Sequence, residues 1–204
     1  MFSTSVPIIV AFITGVFGPV IVLVFKHFYE KRKAKPDMVV EALELSERVV
    51  TKLDHIKEEF DADRVWITQF HNGGHFYPTG KSIAKFSIVY ETVGPGVNSV
   101  QNNFQNIPVS LFSKSINHLL ESDIICIADF KDETIATHGL KYIAEESGCK
   151  SGYLFAIKTI DDKFIGTLGL DFTKKKTKLS TEDVRHLTNH ATAIGGELAS
   201  HLVK

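Results

Sequence analysis

The sequence predicts an α+β domain on a mainly antiparallel sheet of five or more strands, flanked by helices and preceded by one transmembrane helix. Three observations carry this. Five short runs rich in Val, Ile, Phe and Tyr are separated by Gly-, Pro-, Asn- and Asp-bearing turns and follow one another mostly as antiparallel neighbours. Residues 37–60 and 180–202 carry apolar side chains at steps of three and four, the period of an amphipathic helix. Residues 6–25 are almost wholly apolar and carry no charge.

The 204 residues hold 23 Lys and Arg against 24 Asp and Glu, a formal net charge of −1. So even a balance excludes a general polyanion binder, and no nucleic-acid partner is expected. A hydrophobic fraction of 44% excludes wholesale disorder, and two cysteines exclude a disulfide framework. The charge is unevenly spread. Residues 1–25 have none, whereas residues 26–36 hold Lys26, Lys31, Arg32, Lys33 and Lys35 against Glu30, a net +4, leaving −5 for the remainder.

This asymmetry sets the expected organisation: an N-terminal segment 1–25 with a span at about 6–25, a basic juxtamembrane linker 26–36, and a domain over 37–204. Fifteen of the 20 residues from 6 to 25 are apolar. At about 1.5 Å per residue they reach about 30 Å, the thickness of a hydrocarbon core. Basic residues follow the span and none precedes it. The positive-inside rule therefore predicts a single-pass protein of an inner or plasma membrane, with its N-terminus outside and its domain in the cytoplasm.

Each element of the domain has its own signal. In 37–60, Val39, Ala42, Ser46, Val49, Leu53, Ile56 and Phe60 form a stripe with one polar member. It is either a coiled-coil seam or the buried face of a packed helix. A homodimer through Val39, Val49, Leu53 and Ile56, joined by Leu187 and Ile194 of the last helix, is expected. Residues 64–70 alternate as a strand, with Val65, Ile67 and Gln69 on one face and Trp66, Thr68 and Phe70 on the other. HNGGHFYPTG, 71–80, reads as a loop by its Gly and Pro, and 82–93 as a second strand. Residues 94–107 read as loop, 108–120 as helix and 123–130 as a short strand. A helix over 131–147 ends at Gly148. Residues 151–159 and 164–172 are strands joined across Asp161-Asp162, a hairpin signal. Ser180 with Asp183 three positions on opens the last helix. The helices are expected to pack on one face of the sheet.

Three stretches together resemble the GAF family, the PAS-related small-molecule sensors. Ala62-Asp63-Arg64 leading into VWITQF resembles the family's first strand. GYLFAI, 152–157, followed by FIGTLGL, 164–170, resembles its terminal hairpin, and LSTED, 179–183, its closing helix. The resemblance covers residues 40–203. It implies a ligand pocket between the sheet and residues 94–147, with Phe70, His71, His75, Tyr77, Tyr90 and Asp129 as its walls. No motif of the cyclic-nucleotide-binding members is present, and no cysteine aligns with a bilin attachment site. No kinase, cyclase or DNA-binding module follows the last helix, so output is expected through a partner, an oligomer or the span. A short N-terminal span joined to a mixed α/β domain also resembles the holins of T-even phages, which implies instead a pore-forming lysis protein.

Chemistry-bearing residues are few. His71 and His75 flank Asn72-Gly73-Gly74, where glycines oppose the helix that would aim two imidazoles at one metal. Glu182, His186 and His190 recur every four residues on the last helix and read as a solvated face rather than a metal site. No nucleophile elbow and no phosphate-binding glycine loop is present. The expectation is a non-catalytic binding or signalling module with no metal; the sequence names no cofactor. Lys174, Lys175, Lys176 and Lys178 lack interleaved aromatics and read as a solvated connection.

Overall fold

In chain order the strands are β1 (Arg64–His75), β2 (Ser82–Val93), β3 (Ile107–Pro108), β4 (Ile124–Ile127), β5 (Ser151–Lys158) and β6 (Phe164–Phe172). They pair antiparallel throughout, in the order β3-β2-β1-β6-β5-β4. The helices are α1 (Gly18–Lys33), α2 (Met38–Glu59), α3 (Ser113–Ser122), α4 (Leu140–Glu146) and α5 (Thr181–Leu202). This computed structural model describes residues 15, 17–33, 37–76, 78–132 and 139–202. The chain divides into two units, residues 1–42 and 43–204.

In the first unit, α1 is 16 residues long, and its apolar side chains from Val20 to Phe25 are exposed. Residues 6–14 and 16 of the expected span lie outside the described residues. Among the described residues no helix is long and apolar enough to cross a membrane; α1 takes in Lys26, Glu30, Lys31, Arg32 and Lys33 as well as apolar residues.

In the second unit, strand alternation sorts side chains to two faces, and helices cover both rather than one. Toward the first face point Val65 and Ile67 of β1, Tyr153, Phe155 and Ile157 of β5, and Leu168, Leu170 and Phe172 of β6. They pack on Leu45, Val49, Leu53 and Ile56 of α2 and on Leu187, Ala191, Ile194 and Leu198 of α5. Each fully buried aliphatic side chain contributes roughly 1.5–3 kcal/mol. The opposite face carries Ile125, Ile127, Leu154 and Trp66, covered by Leu119 of α3 and Leu140 and Ala144 of α4. Gly195 sets how closely α5 sits on the sheet, since a Cβ there would lie 2.2 Å from the Lys158 carbonyl oxygen.

This packing corrects the expected dimer seam. Val49, Leu53, Ile56, Leu187 and Ile194 are wholly buried in the domain's own core, whereas Val39 is 65% exposed. The stripe of α2 is the buried face of a packed helix, with Leu45 as its first buried member.

Three boundaries also differ. First, β1 runs on through His75 instead of stopping at Phe70. His71 and Asn72 go on pairing with Lys85 and Ala84, and His75 with Ser82, so Gly73 and Gly74 fall at an irregularity inside the ladder instead of ending it. Second, a sixth strand, β3, pairs with β2 at the sheet edge, where Pro108 is tolerated. Third, the helix before Gly148 is short, Leu140–Glu146, with residues 133–138 outside the described residues. Gly148 follows it in the left-handed region at φ 67°. The hairpin turn at Asp161-Asp162 and the opening of α5 are as the sequence predicts. The Ser180 N–H donates to Asp183 Oδ2 at 2.8 Å, and the Asp183 N–H donates to Ser180 Oγ at 3.1 Å.

Candidate functional site

Between the sheet and α3–α4 lies a cavity of about 90 Å³. Alternation on β1 places Arg64, Trp66, Thr68 and Phe70 along its floor. β6 supplies Thr167 and Asp171, which stand directly opposite Thr68 and Arg64. Phe86 and Ile88 of β2 extend the wall, and Phe70 packs edge-on against Phe164. Phe104, Phe112, Ile116, Leu119 and Ile143 close the roof.

One corner is polar. The Arg64 side chain is 1% exposed, and its Nε donates to Asp171 Oδ2 at 2.7 Å while Nη1 donates to the Asn98 carbonyl at 2.9 Å. Nη2 lies 2.6 Å from the same Asp171 oxygen, and the Trp66 Nε1–H donates to it at 3.1 Å. Glu91 stands 4.0 Å from the guanidinium and accepts the Val100 and Gln101 N–H groups at 2.9 and 3.2 Å, tying down the loop after β2. Burial, and then the Asp171 carboxylate, push the Cys149 thiol on the cavity wall far up, so it stays neutral. Carbon walls with one satisfied polar corner suit binding and orienting a small molecule.

Of the six expected wall residues, Phe70 lines the cavity. His71 instead hydrogen-bonds Ser87 Oγ through Nε2 at 2.9 Å, and His75 ends β1 exposed. Tyr77 lies outside the described residues. Tyr90 misses for a definite reason. Ile67 pairs with Tyr90 and Thr68 with Ile88, so Val89 is an extra residue in β2, and this bulge turns Tyr90 to the face covered by α2 and α5. Burial there raises its phenol pKa. Asp129 lies on the loop after β4, paired with Lys176 and accepting the Lys131 N–H at 3.0 Å. The Lys176 hydrogen bond and then the Lys131 N–H lower its pKa. Lys174 and Lys175 are likewise paired, with Asp63 and Asp61.

Sequence reasoning missed Arg64, Trp66, Thr68 and Asp171. The available signal was a charged residue inside each of two apolar strands, on the face opposite the Val65–Ile67 stripe.

This arrangement, a six-stranded antiparallel sheet with the terminal helices on one face and a roofed cavity on the other, has solved counterparts. The phycoerythrobilin-bound GAF domain of a cyanobacterial phytochrome superposes with a TM-score of 0.62 at 16% identity, over 81% of this chain and 90% of that one. A GAF domain of Synechocystis sp. PCC6803 in its photoproduct state gives 0.60 at 13% identity, over 78% and 94%. The blue-light absorbing form of the Thermosynechococcus elongatus PixJ GAF domain gives 0.59 at 15%, over 76% and 84%.

The fold is GAF-like.

No protein-family model and no curated protein matches the sequence. The GAF-like resemblance read from the strand order holds at the level of fold, and the resemblance to phage holins is not supported. Within the GAF-like fold, β1 and β6 carry the cavity floor, while α2 and α5 cover the opposite face of the same strands.

Proposed function

We propose that this chain is a non-catalytic sensory module that binds a compact, mainly apolar small molecule beneath α3 and α4. The observation that carries this is the cavity itself, walled by Trp66, Phe70, Phe86, Phe104 and Phe112 around the Arg64–Asp171 corner. Cavity size favours a small ligand over a bilin. A volume of about 90 Å³ is smaller than the about 150 Å³ engineered cavity that admits benzene, so a single aromatic ring is already at the upper limit of what fits. Drug-sized ligands occupy roughly 300–1,000 Å³. A tetrapyrrole such as the one in the phytochrome counterpart would require α3 and α4 to move apart. Occupancy would act on β1 and β6 and through them on α2 and α5.

The test uses the single tryptophan, Trp66, as reporter. Titration with toluene should shift its emission saturably, and Ala144→Phe, which fills the cavity from the roof, should abolish the shift. A response to biliverdin but not to toluene would replace the small-ligand reading with the bilin one. No saturable response to either would refute the binding role.

We also propose that residues 6–25 anchor the chain with its domain in the cytoplasm. The support is compositional: an uncharged apolar stretch followed by the basic cluster. A single Cys added after Lys204, in a Cys126→Ser, Cys149→Ser background, should resist an impermeant thiol reagent until cells are lysed. Labelling of intact cells would reverse the orientation, and recovery of the chain in the soluble fraction would remove the anchor.

A further inference from the structure

We propose that His55, Glu59 and His190 form a surface site for a divalent transition-metal ion of the zinc class, independent of the cavity. His55 and Glu59 are four residues apart on α2, and His186 and His190 four apart on α5, so each pair rises from one helix face. The tertiary packing of α2 beside α5 turns the two pairs toward each other. His55 Nδ1 lies 3.4 Å and His190 Nε2 3.1 Å from Glu59 Oε2, and the three ligand atoms lie within 4.8 Å of one another.

Tetrahedral zinc at about 2.0–2.1 Å from its ligands separates them by roughly 3.3 Å, so small side-chain rotations suffice. All three are exposed or half-exposed and so open to a solvent ion, and His55, the most exposed, has the most room to rotate. A water completes the shell.

His186 has a different part. Its Nδ1 lies 3.4 Å from the other carboxylate oxygen, Oε1, and holds the carboxylate with Oε2 toward His55 and His190. That is the outer-shell role commonly found behind a ligating carboxylate. Glu182, which the sequence grouped with His186 and His190, pairs with Arg185 at 2.7 Å and is not a member. Phe60 stands edge-on to the His190 ring and limits its tilt. Two imidazoles and one carboxylate select a borderline cation such as Zn²⁺ or Co²⁺ over Mg²⁺ or Ca²⁺, which prefer all-oxygen shells. A bound ion would tie α2 to α5.

The test is titration of the full chain, free of any affinity tag and carrying Cys126→Ser and Cys149→Ser to remove thiol ligands. One equivalent of Zn²⁺ should bind by calorimetry, and Co²⁺ should develop the visible absorption of a low-coordinate nitrogen–oxygen site. His190→Ala and Glu59→Gln should each weaken Zn²⁺ at least tenfold, with circular dichroism unchanged. His186→Ala should weaken it less than either. Zn²⁺ should raise the thermal midpoint of the parent but not of His55→Ala. Absence of stoichiometric binding, or binding that survives both His190→Ala and Glu59→Gln, would overturn the site. Equal losses from His186→Ala and His190→Ala would overturn the division into ligand and outer-shell residue.

Discussion

Gly169 lies directly across from Trp66 in the β1–β6 pair, and a Cβ on Gly169 would come within 2.2 Å of the indole ring. The indole occupies the space that a side chain on β6 would take. It holds that pose through its Nε1–H bond to Asp171. Gly169→Ala should therefore tip Trp66 into the cavity and break that bond. The expected cost is about 1–3 kcal/mol in urea unfolding, accompanied by a shift in Trp66 emission. Unchanged stability and emission would show that the ring can be displaced freely.

Arg64 and Asp171 form a buried pair, and removing one member should hurt more than removing both. Asp171→Leu strands the guanidinium, with Glu91 at 4.0 Å as its remaining carboxylate neighbour. The expected loss is about 3–5 kcal/mol. The Arg64→Met, Asp171→Leu double variant should recover part of it. A double variant no more stable than Asp171→Leu would show that the corner matters through its hydrogen bonds to Asn98 and Trp66 rather than through charge.

Asp63 couples stability to acid. Burial raises its pKa, but the Lys174 and Thr173 backbone N–H groups at 2.9 and 2.7 Å and the Lys174 ammonium at 3.1 Å outweigh burial and lower it. A carboxylate with a depressed folded pKa contributes stability above its unfolded value of about 3.9 and loses it as pH falls through the folded value. The unfolding free energy of the native sequence should therefore drop more steeply below about pH 4 than that of Asp63→Asn. Parallel profiles would exclude Asp63 as a source of the acid sensitivity.

The two cysteines should behave differently toward Ellman's reagent. Cys126 lies exposed on the edge strand β4, with neighbours that raise its pKa by burial, so it should react slowly. Cys149 is buried on the cavity wall. One thiol should titrate in the native protein and two in guanidinium chloride. Two reactive thiols without denaturant would mean that the roof opens readily.

Much of the sheet was legible because its signals are local. The strands at 82–93 and 164–172 follow from composition and alternation, and the Ser180–Asp183 opening of α5 from a four-residue motif. The pairing of β1 with β6 was not legible. It joins residues about a hundred positions apart, and that pairing sets Arg64 opposite Asp171. The cavity wall was half legible: alternation grouped Trp66, Thr68 and Phe70 on one face, but a single extra residue at Val89 reversed the side on which Tyr90 emerges. The dimer seam failed because periodicity reports that a helix face is covered without reporting by what. For Val49 and Leu187 the cover is the chain's own sheet and helices.

Gly195 gives α5 a fulcrum. The helix backbone comes close to the Lys158 carbonyl there, so a rigid tilt of α5 would turn about this contact, against the packing of Leu187 and Leu198 on either side of it. Fourteen residues lie on the Thr181 side of this pivot and seven on the Leu202 side. At about 1.5 Å per residue the arms are about 21 and 10 Å. In such a tilt the Leu202 end would travel half as far as the Thr181 end and in the opposite direction.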